Sequence, residues 1–231
     1  MVGSVDLFIW CLGTAIELSF VVCSIARKSF FAYFFLNLYM LLSVAASVGR
    51  WLVLRNFGFD SGQYMYCYYY TDALLTVALY VSLISLYSRV FGELRFAKHM
   101  RLAAVVLLLG TAGFSYAVVA QSAENLKTHF AYQLSQNLYF VGIVLTYLLW
   151  GAVLKLRETR TRLVQIVLSL GLYFSAYAAS YALYNVFPQY GLVRYAGGVL
   201  GCLLPLTLCI TMLRYSEESR LAPAQLVAVP R

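Results

Sequence analysis

Residues 143–150 read IVLTYLLW, and residues 102–110 read LAAVVLLLG. Apolar side chains follow one another here without polar alternation. A membrane barrel strand runs about ten residues and alternates apolar with polar, so these stretches do not read as barrel strands. They read as helices apolar on every side, the form a chain takes when its solvent is lipid. Working outward, the 231 residues divide into seven such runs: 5–26, 30–54, 66–91, 102–121, 131–154, 163–187 and 192–213. A bilayer crossing takes roughly 20 mostly apolar residues. The expected fold class is an all-α integral membrane protein: a seven-transmembrane-helix bundle over residues 1–214, with a short tail at 215–231.

Composition agrees. Hydrophobic and aromatic residues make up 62% of the chain and charged ones 11%, with a mean hydropathy of +0.77. A soluble domain carries about 25% charged residues. So few charges could not cover this much apolar surface in water. An ordinary soluble enzyme and a disordered chain are both excluded.

The net charge of +8 has a topological origin. Of the 17 Lys and Arg, 13 fall in or beside the loops after runs one, three and five, or in the tail. The other side has only Arg50, Arg55, Lys127 and Arg194. The positive-inside rule then places the N-terminus outside and the C-terminus in the cytoplasm. Attraction to anionic headgroups adds to the same bias. The expected partner is the lipid bilayer, and nucleic acid is not one. The start MVGSVD lacks a basic n-region, so the first run is expected to stay as a membrane helix.

Two segments hint at a repeat. Residues 36–47 read LNLYMLLSVAAS and residues 170–180 read LGLYFSAYAAS. Both follow a basic loop. The match needs a one-residue gap and points to a 3+1+3 arrangement, with runs 1–3 and 5–7 related in parallel, as in some transporters.

Ionisable residues at membrane depth are costly and mark candidate sites. Glu17 lies near the middle of the first run and shares a helical face with Trp10, Gly13, Thr14 and Ser24. Low dielectric favours its neutral form unless it is paired. It reads either as a proton or cation site or as a neutral acid bonded across the bundle. Asp72 shares a face with Tyr69, Thr76 and Tyr80, and Arg50 with Tyr39, Ser43 and Ser47. Both lie toward the outer face on adjacent spans, so an Arg50–Asp72 ion pair is expected, as a static clamp or a moving gate.

Neutral polar residues form stripes. Tyr132, Gln136, Tyr139, Thr146 and Trp150 recur at helical spacing in run five, and Tyr173, Tyr177, Tyr181 and Tyr184 in run six. Such a stripe reads as packing with its hydroxyls satisfied across helices, or as one wall of a semi-polar cavity. Tyr64, Tyr66, Tyr68, Tyr69 and Tyr70 crowd the outer end of run three, as an aromatic belt does. In run seven, Gly197 and Gly201 make a GxxxG that allows close helix approach, inside the bundle or against another subunit. Pro205 removes a backbone donor and kinks that helix.

Reaction chemistry is sparse. The five cysteines form no CxxC, and His99 and His129 sit in loops on opposite sides. Bis-histidine haem ligation, zinc spacing, a phosphate-binding glycine loop and a GxSxG elbow are all missing from the sequence. No enzymatic activity, metal or cofactor is expected. Tyr70-x-Asp72-x-x-x-Thr76 looks like the third helix of microbial rhodopsins, but run seven has no lysine to hold retinal.

A broader likeness covers most of the chain. FFAYFF at 30–35, LISLYSRVFGEL at 83–94 and RTRLVQIVLSLGLYFSAYA at 160–178 resemble a large group of uncharacterised seven-helix proteins of Acidobacteria and related soil bacteria. The resemblance implies a bundle in the bacterial inner membrane and carries no activity. The expected function is a non-enzymatic accessory or scaffold subunit, or a small sensor, self-associating or meeting a membrane partner through Gly197 and Gly201. The alternatives are a small-solute or proton-coupled transporter with the 3+1+3 arrangement, and a receptor with an outward-facing pocket.

Overall fold

The computed structural model describes residues 4–59, 61–91, 97–120, 126–155, 161–186 and 191–215. Seven helices run through them: α1 (Ser4–Ala26), α2 (Phe34–Phe57), α3 (Gly62–Val90), α4 (Ala97–Ala120), α5 (Leu126–Lys155), α6 (Thr161–Val186) and α7 (Gly191–Arg214). No strand occurs among the described residues. The apolar stretches Leu7–Ala26, Phe34–Phe57, Gly62–Val90, Phe130–Leu154 and Thr161–Leu183 are each long enough to cross a membrane. In α4 and α7 the described apolar parts are shorter, Val105–Ala120 and Val199–Arg214. Each of those helices still has 24 residues, a length of about 36 Å at 1.5 Å per residue.

Most helices match the expected runs to within a few residues. α2 differs, because residues 30–33 form a turn. The Ser29 N–H bonds back to the Ser24 carbonyl and the Lys28 N–H to that of Ile25, with Lys28 left-handed at φ 54°. This closes α1 in a Schellman motif, with lysine where glycine is usual. Asn37 secures the turn by donating to the carbonyls of Phe30 and Tyr33 and to Ser24 Oγ. At the far end of α2, the Ser61 hydroxyl caps α3 by accepting from the Tyr64 N–H.

Contacts between helices fix their relative directions. Cys202 meets the Ile9 carbonyl and Cys209 that of Ile16, at the same sequence separation of 193. α1 and α7 are therefore parallel. So are α3 and α5, where Tyr69 packs on Tyr132 and the Tyr87 hydroxyl donates to the Leu145 carbonyl. Helices joined by a short loop run antiparallel, as Ser43 on Glu17 and Asn37 on Ser24 require. The packing closes a ring in the order α1, α2, α3, α5, α6, α7. α4 stands outside it, against α5 and the edge of α3. Asn137 reaches from α5 to Ser115 Oγ at that seam.

The exterior is apolar, unlike that of a water-soluble protein, and the largely apolar interior also holds hydroxyls. Ser43, Thr76, Ser82, Ser115 and Thr146 are buried, while Phe8, Val22, Leu109, Leu148 and Leu172 are exposed. Many buried hydroxyls bond a carbonyl four residues back on their own helix, as Thr76 does to Asp72 and Thr146 to Gly142. This is the construction of a multi-pass membrane protein.

The two ends of the ring differ. Toward the α1–α2 turn the interior is apolar and closed, with Phe20, Met40, Leu83, Leu170, Phe174 and Leu204 wholly buried. Arg162 lies beyond them, and its place departs from the loop charge that the basic pattern implies. It is 4% exposed, donating to Ser29 Oγ at 2.6 Å and to the Tyr215 carbonyl at 2.7 and 2.9 Å. Arg27 donates to the Leu213 carbonyl, and the Arg89 guanidinium lies over the Tyr33 ring. One arginine thus ties the start of α6 to the first turn and to the end of α7.

Close approach of α5 and α6 depends on Gly142. A Cβ there would overlap the ring of Phe174, which is wholly buried and cannot yield. Gly142→Ala is expected to cost about 1–3 kcal/mol through overpacking, seen as a lower Tm in detergent. Gly110→Ala, with open space around it, should leave Tm unchanged.

Candidate functional site

The other end of the ring holds a cavity of about 530 Å³, within the range of small-molecule sites. All six ring helices contribute to its wall and α4 does not. Trp10, Gly13, Thr14 and Glu17 come from one face of α1, as their helical spacing dictates. α2 adds Tyr39, Ser43, Ser47 and Arg50, again at three- and four-residue steps. The remaining wall is largely tyrosine: Tyr64, Tyr68 and Tyr69 on α3, Tyr132 and Tyr139 on α5, and Tyr173, Tyr177 and Tyr181 on α6. Gly201 and Cys202 complete it on α7.

Glu17 sits at the deep end. Its Oε1 accepts from Ser43 Oγ at 2.6 Å. Its Oε2 is buried and has no protein partner, and the residue as a whole is 9% exposed. Tyr39, next to this pair, meets Tyr173 hydroxyl to hydroxyl at 3.5 Å. Those are the tyrosines that the two repeat-like segments place in register.

Arg50 lies seven residues beyond Ser43 on α2, about 10 Å nearer the open end. It makes no ion pair with Asp72, which corrects the sequence expectation. Its Nε donates to Thr71 Oγ1 at 2.6 Å and its Nη2 to the Tyr68 carbonyl at 3.3 Å. The guanidinium also lies 4.4 Å from the centre of the Tyr68 ring. Adjacent positions on a helix point about 100° apart, and Thr71 rather than Asp72 faces α2. Asp72 turns toward α6 and accepts from the Tyr181 hydroxyl at 3.3 Å.

The α5 and α6 tyrosines form one contiguous cluster. Tyr139 stacks on Tyr177 at 4.9 Å and 13°, and Tyr177 meets Tyr173 at 4.6 Å. Tyr181 is edge-on to Tyr132. On α3 the tyrosine crowd splits by face. Tyr66 and Tyr70 are exposed and stack on each other outside the ring, the belt position. Tyr64, Tyr68 and Tyr69 line the cavity.

Of the residues singled out from sequence, Glu17, Arg50, Asp72, Tyr173, Tyr177, Tyr181 and Gly201 all reach this cavity. Thr76 and Gln136 do not line it. Thr76 is buried and bonded to the Asp72 carbonyl, and Gln136 is half-buried on α5. A Cβ on Gly201 would lie 3.6 Å from the Tyr177 hydroxyl, so that end of the GxxxG is used inside the bundle. The surroundings of Gly197 and the side chain of Tyr184 lie outside the described residues. Pro205 is buried within α7. Lacking an N–H, it deprives the Gly201 carbonyl of its helical partner one turn away. Sequence reasoning missed Ser43 as the partner of Glu17 and Thr71 as that of Arg50. Small hydroxyls are everywhere in membrane helices and carry no signal of their own.

The arrangement can bind. It holds hydrogen-bonding hydroxyls, aromatic faces, two carboxyls and one committed guanidinium in a partly enclosed space. Among the described residues no three His, Cys, Asp or Glu side chains converge to hold a metal ion. Comparison with protein-family models, with curated proteins and with solved structures gives no match.

Access to the cavity can be measured through its cysteine. In single-cysteine variants, Cys202, on the wall, is expected to react with a small polar thiol reagent. Cys209, two turns deeper and buried, should stay unmodified until the protein is denatured. Mass spectrometry of both variants before and after denaturation gives the comparison.

Proposed function

We propose that this chain is a small-solute transporter of the bacterial inner membrane, with its N-terminus outside and its C-terminus in the cytoplasm. The carrying observation is the polar, tyrosine-walled cavity that stops at a wholly buried apolar layer. A cavity closed on one side is what a binding site accessible from a single face of a membrane looks like. An accessory or scaffold subunit needs no such space.

Three further features support this reading. The ring is made of α1–α3 and α5–α7, with α4 outside, which accords with a 3+1+3 arrangement. Tyr39 and Tyr173, in register in the two similar segments, meet at the middle of the bundle, as equivalent residues near a two-fold axis do. α7 is a continuous helix that borders the cavity at Gly201, where Pro205 one turn on leaves a backbone carbonyl without its helical N–H partner, and transporters of this kind use free backbone carbonyls near the repeat interface to bind their solutes. The inner-membrane location rests on the acidobacterial resemblance and the orientation on the basic loops.

Flux of a broad panel of labelled solutes into proteoliposomes tests the proposal. At least one solute should enter, and Glu17→Gln should slow it by about tenfold, the effect of removing one charge-assisted contact. Gly110→Leu on α4 should leave the rate unchanged. Absence of flux for every solute would overturn the transport reading. For the orientation, alkaline phosphatase fused to the C-terminus is expected to be inactive in cells, and an active fusion would reverse the assignment.

A further inference from the structure

We propose that the ligand of this cavity is a small organic monocation, a protonated amine or a quaternary ammonium, held against tyrosine faces with Glu17 as its counter-ion. The inference rests on the solute-binding reading and names the class of solute.

Three observations carry it. The first is the unused oxygen. Glu17 is more than nine-tenths buried and lines the cavity, Ser43 occupies Oε1, and the buried Oε2 has no protein partner. An anionic ligand would meet this carboxyl and Asp72 together. A neutral apolar ligand would leave Oε2 buried and unsatisfied, which costs free energy. A cation resolves both. The second is the wall. Aromatic rings present a negative face, and cages of them are a recurrent solution for ammonium groups that cannot be hydrogen-bonded on all sides. Tyr39, Tyr139, Tyr173 and Tyr177 touch one another in a cluster that lines the same cavity as Glu17, and Tyr181 links that cluster to Asp72. The third is a built-in precedent. Arg50 already rests its guanidinium on the ring of Tyr68 at 4.4 Å, so the wall accommodates a cation over tyrosine. Its hydrogen bonds to Thr71 and Tyr68 hold it toward the open end, about 10 Å from the Ser43 level along α2. The deep end keeps the acidic balance.

The test uses a matched pair of probes, choline and its neutral isostere 3,3-dimethylbutan-1-ol, with the full-length protein in lipid nanodiscs. Binding is read by calorimetry and by the shift in Tm. Choline is expected to bind saturably and at least about tenfold more tightly than the isostere, the ratio one desolvated cation–π contact supplies. Glu17→Gln should remove most of that preference. Tyr177→Phe, which keeps the ring, should retain it, and Tyr177→Leu should lose it. If Glu17→Gln does not fold, the wild-type comparison and the Tyr177 pair decide. Equal binding of the two probes would overturn the cation assignment while leaving the cavity a ligand site. Binding of neither would also overturn it, and the solute-panel flux assay then judges the transport reading separately.

Discussion

In hydrocarbon no water is at hand to satisfy a polar group, so each one buried in this bundle must find its partner within the protein. That constraint organises most of what lies inside the ring. Hydroxyls of Thr76, Thr146 and Ser115 turn back onto their own helices. Asn37 spends its amide N–H groups on the carbonyls of the turn at Phe30 and Tyr33. Arg162, a full charge, is enclosed by a hydroxyl and a carbonyl from two other parts of the chain. Glu17 Oε2 is one of a few buried polar atoms without a protein partner, Asn37 Oδ1 and Ser135 Oγ among them, and it belongs to a carboxyl that lines the cavity.

The same constraint separates the ring into two halves along its axis. α6 shows it in one helix: Leu163, Ile166 and Leu170 fill the closed end, and Tyr173, Tyr177 and Tyr181 follow at the open one. α2 repeats the order, with Leu36 and Met40 before Ser43, Ser47 and Arg50. Close-packed apolar side chains resist opening, because any gap forfeits contacts on both of its sides. The boundary near Glu17 and Phe20 is thus one between a close-packed apolar layer and a tyrosine-lined cavity.

Helix number and class could be read directly, because hydropathy along a chain registers lipid exposure residue by residue. The tyrosine face of α6 was equally plain from its four-residue spacing. What failed was rotation. Depth along the helix put Arg50 and Asp72 together, but a single residue's turn handed Arg50 to Thr71 and Asp72 to Tyr181. Sequence also left the α3 tyrosines as one belt, where the ring divides them into wall and exterior. Pairings across helices, such as Ser43 with Glu17 or Ser29 with Arg162, depend on packing that no one-dimensional pattern encodes. They form at long range between residue types too common to stand out.

α4 adds nothing to the cavity wall, yet the ring depends on it for parity. α3 and α5 are neighbours that run the same way, and two parallel neighbours cannot be joined by a short loop. One extra crossing returns the chain to the starting side, so that the last three helices enter the ring in the sense of the first three. Any odd number of crossings would serve. Its demands on sequence are correspondingly modest: an apolar exterior for lipid, and a narrow seam of Thr111 and Ser115 against α5. Substitutions elsewhere on α4 test the membrane more than they test the protein, which makes it the natural place to attach a probe without disturbing what the ring encloses.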